Sequence, residues 1–147
     1  MKILSKVASA MILSTGLLMA SSYSVDNAHS NVGFTVKHMM VTNVHGKFTS
    51  YDAKVEFDDA TKTFKKLVAN IDTNSIDTGI EKRDNHLRSD DFFAVEKFPK
   101  MTFEMTSYKA DGDDGKMTGN LTIRGITKPV VLEVEDLATV KDFEGNT

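Results

Sequence analysis

From Asn31 onward, hydrophobic and polar positions alternate with a period of two. Val32, Phe34, Val36 and His38 are separated by Gly33, Thr35 and Lys37, and Tyr51, Ala53, Val55 and Phe57 by Asp52, Lys54 and Glu56. Alternation of this kind predicts strands with one buried and one wet face, the habit of antiparallel sheets. Val44, Gly46 and Phe48 have the opposite parity to Tyr51 and its successors, so the backbone must change face near Thr49-Ser50 through a bulge or sharp bend. Leu67, Ala69 and Ile71, then Met101, Phe103 and Met105, then Met117, Gly119, Leu121 and Ile123, and finally Val130, Leu132 and Val134 continue the pattern, giving about six strands. Asp111 to Gly115 and Arg124 to Thr127 are the expected hairpin turns.

One segment departs from this period. Thr78-Gly79-Ile80-Glu81 fits a capping box with Thr78 as N-cap, and good helix formers follow to about Arg88. At 100° per residue Ile80, Arg83, Asp84 and Leu87 share one sector, so the face carrying two apolar anchors also carries an ionisable pair that must find partners. Ser89-Asp90-Asp91 can cap a short turn bearing Phe92 and Phe93, and Phe98-Pro99 leads back into strand. The fold class expected is therefore all-β, an antiparallel barrel-like sheet with one short helical crossover.

Composition narrows the chemistry. The chain has 147 residues, a formal net charge of −3, two Pro and no Cys, which suits one ordinary folded domain and suggests neither a nucleic-acid-binding basic protein nor a disordered tail. Lys2 and Lys6 precede a run from Val7 to Ala20 that is apolar or small throughout, the n- and h-regions of a secretory signal peptide too short to span a membrane. Ala20 and Ser22 place cleavage before Tyr23, so residues 1–22 are expected to be a leader and 23–147 the mature domain. Without cysteine there is no disulfide and no thiolate metal site, and the core alone must hold the domain. Four scattered His residues do not make a metal site either.

A dense set of motifs runs through the same positions: Tyr23-Ser24-Val25-Asp26 with His29-Ser30, Phe34-x-Val36-x-His38, Gly46-x-Phe48 and Ser75-Ile76-Asp77-Thr78-Gly79. Arg83-Asp84-x-His86-Leu87-Arg88-Ser89-x-Asp91-Phe92-Phe93, Phe98-Pro99 and Gly119-x-Leu121-Thr122-Ile123-Arg124-Gly125-Ile126-Thr127-Lys128-Pro129-Val130 complete it. Over Tyr23 to about Val134 the sequence resembles the YceI family of exported, polyisoprenoid-binding, lipocalin-like proteins. That resemblance implies an extended antiparallel barrel of eight strands, an apolar tunnel for an isoprenoid tail with the polar head at its mouth, and a periplasmic location. Members of the family usually continue through further closing strands beyond the sixth. The barrel is accordingly expected to be incomplete, either truncated at its C-terminal end or completed by a partner, with its edge open to pairing as a homodimer.

The site candidates follow from parity and from the helix face. His38 ends the inward row of the first strand, and with Arg83, Asp84 and His86 it could converge on a head group, the guanidinium facing a phosphate or carbonyl and the imidazoles donating hydrogen bonds. The competing reading is that Arg83 and Asp84 merely tie the helix to the sheet. Phe34, Val36, Phe48, Phe92, Phe93, Phe103, Met105 and Leu121 are expected to line the tail's path, core and ligand wall being one surface in a barrel. His29-Ser30 is expected to cap a turn, since neighbours on an extended backbone face opposite ways, and His45 is expected to be exposed. These expectations describe an exported binding and transport protein for a polyprenyl phosphate or quinone, with no catalysis and no cofactor beyond the bound lipid. An alternative is a hydrolase-like enzyme acting on a small exported lipid with His38 or His86 as general base, but no triad spacing accompanies either residue. A third is a stress-related factor acting through protein contacts, which would need an apolar outer patch.

Overall fold

A computed structural model describes residues 20–39 and 41–139, so most of the expected leader lies outside the described residues. Among the described residues there are nine strands where the alternation predicts about six: β1 (Ser21–Ser24), β2 (Val32–His38), β3 (Thr42–Phe48), β4 (Tyr51–Asp58), β5 (Thr63–Asp72), β6 (Ile76–Asp77), β7 (Lys100–Asp111), β8 (Asp114–Ile123) and β9 (Ile126–Val134). An α-helix, α1 (Glu81–Arg88), lies between β6 and β7. The extra strands are the short β1 and β6, which offer too few residues to show a period, and β3, which is separate from β4.

The predicted change of face at Thr49-Ser50 is where the backbone passes from one sheet to the other. Strand β3 belongs to a three-stranded antiparallel sheet in the order β2-β3-β6, and β4 to a six-stranded one in the order β1-β4-β5-β7-β8-β9. Ser75 holds the bend: its hydroxyl oxygen accepts from the backbone N–H groups of Thr49 and Ser50 at 3.1 and 3.0 Å. Residues on the two sides of the bend can therefore face one core despite their opposite parity.

Across the larger sheet the registers align Ala53, Ala69, Phe103, Leu121 and Lys128 in one row, with Tyr51, Ile71 and Met101 in a neighbouring row. These rows form the concave face. Phe103 lies over Gly119, where an added Cβ would come within 2.3 Å of its ring, so the glycine admits the aromatic ring into the face. Phe48, Ile71, Ile76 and Met101 form a buried cluster joining the two sheets, and Val32, Phe34, Leu87, Phe93, Leu121 and Ile123 pack against it. Ile76 is fully buried, and burial of such a residue contributes about 1.5–3 kcal/mol.

Among the described residues the larger sheet does not close into a barrel, and β1 and β9 are its two edges. It curls nonetheless. Beyond β9, Leu137 N–H donates to the Asp113 carbonyl at 2.7 Å and the Thr139 hydroxyl to Asp59 at 3.0 Å, bringing the strand's continuation back toward the β4–β5 turn. Among the described residues no helix is long and apolar enough to cross a membrane.

Two expectations about the helix need correction. Its N-cap is Ile80, which supplies no capping hydrogen bond, so Thr78 and Glu81 do not form a capping box. The Thr78 hydroxyl donates instead to Asp84, one turn into the helix, and its backbone N–H donates to the same carboxylate oxygen at 3.0 Å. Ile80 is 52% exposed rather than an inward anchor, because the cap position has extended backbone and precedes the helical sector. Leu87 does pack inward.

Candidate functional site

The ionisable face of α1 is occupied by its own neighbours. Asp84 is 6% exposed and accepts both bonds from Thr78, while Arg83 Nε donates to the Thr78 hydroxyl oxygen at 2.7 Å and Nη2 to the Thr78 carbonyl at 2.8 Å. The threonine hydroxyl thus donates to the acid and accepts from the base, joining them without direct contact. Arg88 completes the attachment through Nε to the Asn74 carbonyl at 2.9 Å and Nη2 to the Ile76 carbonyl at 2.8 Å. Local attachment, the competing reading of Arg83 and Asp84, describes this geometry.

The other expected members of the polar cluster lie elsewhere. His38 is exposed at the tip of the β2–β3 hairpin, paired in register with Thr42, and Val36 is 52% exposed. Parity alone places both inward; the hairpin tip extends past the layer that buries Val32 and Phe34. His86 faces Asp91 at 3.0 Å through Nε2 and stacks edge-on against Phe92, ring centroids 5.0 Å apart. His38, Arg83, Asp84 and His86 are therefore not joined into one cluster by any of their hydrogen bonds. The turn role of His29-Ser30 has a geometric counterpart: His29 Nδ1 lies 2.7 Å from Asp26, and the Ser30 and Tyr51 hydroxyls are 2.9 Å apart. The Asp26 carboxyl is lowered chiefly by its bond to His29, which is raised in turn by Asp26. His45 is exposed and hydrogen-bonded to Thr35.

An apolar cleft of about 550 Å³ lies between the Asp91–Phe93 turn and the β8–β9 hairpin. Phe92, Phe93, Leu121, Ile123, Ile126 and Val130 line it, with Asp91, Arg124 and Lys128 as its charged members. Of the expected tail-lining residues, Phe92, Phe93 and Leu121 are here, and Phe93 reaches the core through a perpendicular contact with Phe48 at 5.8 Å. Phe34 and Phe48 form the core beneath it. Phe103, opposite Leu121, and Met105, opposite Gly119, extend the concave face beyond the cleft.

Among the lining residues, Arg124 and Ile126 escape a reading that treats Arg124 to Thr127 as turn alone, Lys128 is a polar residue in an apolar row, and Ile123 and Val130 are recognised as strand positions but not as part of a site. The turn is a two-residue hairpin in which Arg124 and Gly125 have φ of 48° and 73°, the left-handed pair of a type I′ turn. This geometry fixes Arg124 with Nη1 donating to the Phe92 carbonyl at 2.8 Å, linking the two walls of the cleft. Parity is the signal that could find Lys128, since it shares the inward row with Ile126 and Val130. At the rim, the Asp90 carboxyl is lowered first by its bond to the Lys97 ammonium, 2.6 Å away, and more weakly by Arg124.

Comparison with known proteins bears on this geometry. The family model of the YceI-like domain matches residues 23–147. Protein YceI of Salmonella newport is 40% identical over 127 residues, an alignment spanning 85% of the sequence described here and 66% of that protein, or about two thirds of the relative's length. The crystal structure of the Campylobacter jejuni YCEI protein is 47% identical with a TM-score of 0.69, over 84% of this sequence and 72% of that one. A polyisoprenoid binding domain from Saccharophagus degradans, implicated in plant cell wall breakdown, shares the fold at 19% identity and a TM-score of 0.51, over 82% of this sequence and 66% of that one.

Proposed function

The chain belongs to the YceI-like domain family, and from that premise we propose that it binds the tail of a long-chain isoprenoid lipid, of the polyprenyl phosphate or quinone type, and carries or sequesters it without catalysis. The observation that supports this most is the apolar cleft, whose six hydrophobic lining residues continue along the concave face to Phe103 and Met105. Its volume lies in the range of small-ligand sites. A tail gains about 0.8 kcal/mol for each CH₂ it buries there, so several isoprene units offset the cost of ordering a flexible hydrocarbon. The polyisoprenoid binding named for the Saccharophagus domain supports the same tail chemistry.

Export to the periplasm is part of the proposal, supported by the lysine-flanked apolar run ahead of Ala20. Cell fractionation with N-terminal sequencing should recover a periplasmic protein beginning at Tyr23. The ligand is tested by organic extraction of the folded protein followed by mass spectrometry. An isoprenoid recovered from the native protein and lost from Leu121→Asp is the expected result, and extracts free of lipid would overturn the reading.

A further inference from the structure

We infer that the tip of the β2–β3 hairpin docks on an anionic bilayer surface, with Met39 and Val41 entering the lipid interface and Lys37 meeting its phosphates. The inference does not depend on what the cleft holds. Met39 and Val41 are 80% and 88% exposed, and Val36 behind them is half exposed, so three apolar side chains gather at one end of the ribbon. Hydrophobic residues scattered singly over a surface need no partner, whereas a group of them on a projecting element marks a contact site. The hairpin does project. Strand β3 pairs with β6 only at Lys47 and Phe48, and from Gly46 outward β2 and β3 pair only with each other among the described residues. From Val32 to His38 the ribbon reaches about 20 Å. At its end the Val41 N–H donates to the His38 carbonyl at 3.2 Å, so the turn pairs part of its own backbone, as entry into an apolar layer requires.

Charge selects the surface. No Asp or Glu occurs from Asn27 to Tyr51, a stretch that carries Lys37 and Lys47, in a chain whose net charge is −3. Lys37 lies opposite Asn43 and Lys47 opposite Gly33, so both stand on one face of the ribbon, and Val36 and Val44 share the other. Among the described residues neither lysine forms an ion pair. Lys37 is close enough to the tip to sit at headgroup level when Met39 and Val41 enter. Lys47 lies about 13 Å farther back, beyond the Debye length of about 8 Å at physiological salt. A lysine at an anionic surface accounts for about fivefold in partitioning, and the attraction fades within that length. A second protein is the poorer occupant, since a stable protein interface buries about 800 Å² on each side and three side chains at the end of a ribbon fall well short of that. A bilayer accepts an insert of any outline and holds it by apolar area together with charge.

The test is flotation of the protein, as processed by the cell, with vesicles of phosphatidylcholine and phosphatidylglycerol in equal parts and with vesicles of phosphatidylcholine alone. Binding to the anionic vesicles is expected to be about tenfold tighter and to weaken as salt is added. Lys37→Gln should lose about fivefold and Lys47→Gln less than about twofold, while Lys54→Gln, at an exposed lysine of β4, should lose nothing. Val41→Asp should lose more than about tenfold with its circular dichroism unchanged. The chain has no tryptophan, so Val41→Trp supplies a reporter whose emission should shift to the blue on the anionic vesicles. Absent binding, equal binding to the two vesicle types, an unshifted emission from Val41→Trp, or an equal loss in Lys54→Gln would overturn the inference. So would self-association without vesicles that Val41→Asp abolishes, which would make the tip a protein contact. Leu121→Asp, which alters the cleft, should leave vesicle binding intact; a loss there would place the attachment in the cleft and overturn the hairpin assignment while leaving the tail reading in place.

Discussion

The helical crossover and the β8–β9 hairpin both place arginine beside acid and aromatic residues, yet they use them in opposite ways. In the crossover Thr78 bridges Arg83 and Asp84 by hydrogen bonds and Arg88 donates to the adjoining backbone, above a core in which Ile76 is wholly buried. In the hairpin Arg124 and Lys128 face an open apolar cleft, and Ile126 is 61% exposed. A polar group whose partners lie within its own segment stabilises the fold. One left facing a cavity beside unburied hydrophobic residues is available to a ligand.

Substitutions can break this comparison, beginning with the largest effect. Ile76→Ala should cost about 3 kcal/mol in urea unfolding, as the residue is wholly enclosed and its removal leaves a cavity. Asp84→Ala should cost about 2 kcal/mol by the same measurement, because it leaves the Thr78 N–H and hydroxyl without their acceptor. Lipid affinity per folded molecule should not change; a loss of affinity with stability intact would move Asp84 from structure to site. Gly125→Ala should cost about 1 kcal/mol, since it forces a side chain into a left-handed turn and within 2.9 Å of the Phe98 ring. Unlike Asp84→Ala, it should also weaken lipid binding, through displacement of Arg124.

The smallest effect lies in the pH dependence. Asp58 is held below the usual carboxylate range, first by the Thr61 N–H and then by the Thr61 hydroxyl, Lys65 and the Ala60 N–H. Its folded value lies below its unfolded one, so the contribution is present above about pH 4 and is lost as the pH falls through the folded value. Asp58→Asn should lower stability near pH 7 and flatten the profile in that acid window, where its curve converges on that of the native protein, as followed by thermal unfolding across a pH series.

Strand period, the face change at Thr49-Ser50 and the existence of α1 are legible in the sequence because each depends on local alternation or on residues within one turn. The division into two sheets is not, since the Ser75 hydroxyl that holds the bend lies 26 residues from Thr49. Parity identifies Phe34 and Phe48 as inward but misplaces Val36 and His38, as alternation does not reveal where the covering layer ends. Arg83 and Asp84 stand out as ionisable residues on an apolar helix face. Their partner, Thr78, has the spacing of a cap, and nothing in spacing alone distinguishes a residue that caps from one that bridges. The cleft is half legible: Phe92, Phe93 and Leu121 follow from their hydrophobic pattern, whereas Lys128 is hidden in an inward row recognisable only by its hydrophobic members.

The central claim is that an isoprenoid tail lies between the Asp91–Phe93 turn and the β8–β9 hairpin. Photolabelling with a diazirine-bearing geranylgeranyl phosphate, followed by peptide mapping, tests it most directly. The account predicts label on Phe92, Phe93, Leu121, Ile123 and Val130, suppressed by excess unlabelled ligand. Label concentrated on the β2–β3 hairpin around Val36 and His38, or scattered without competition, would contradict it.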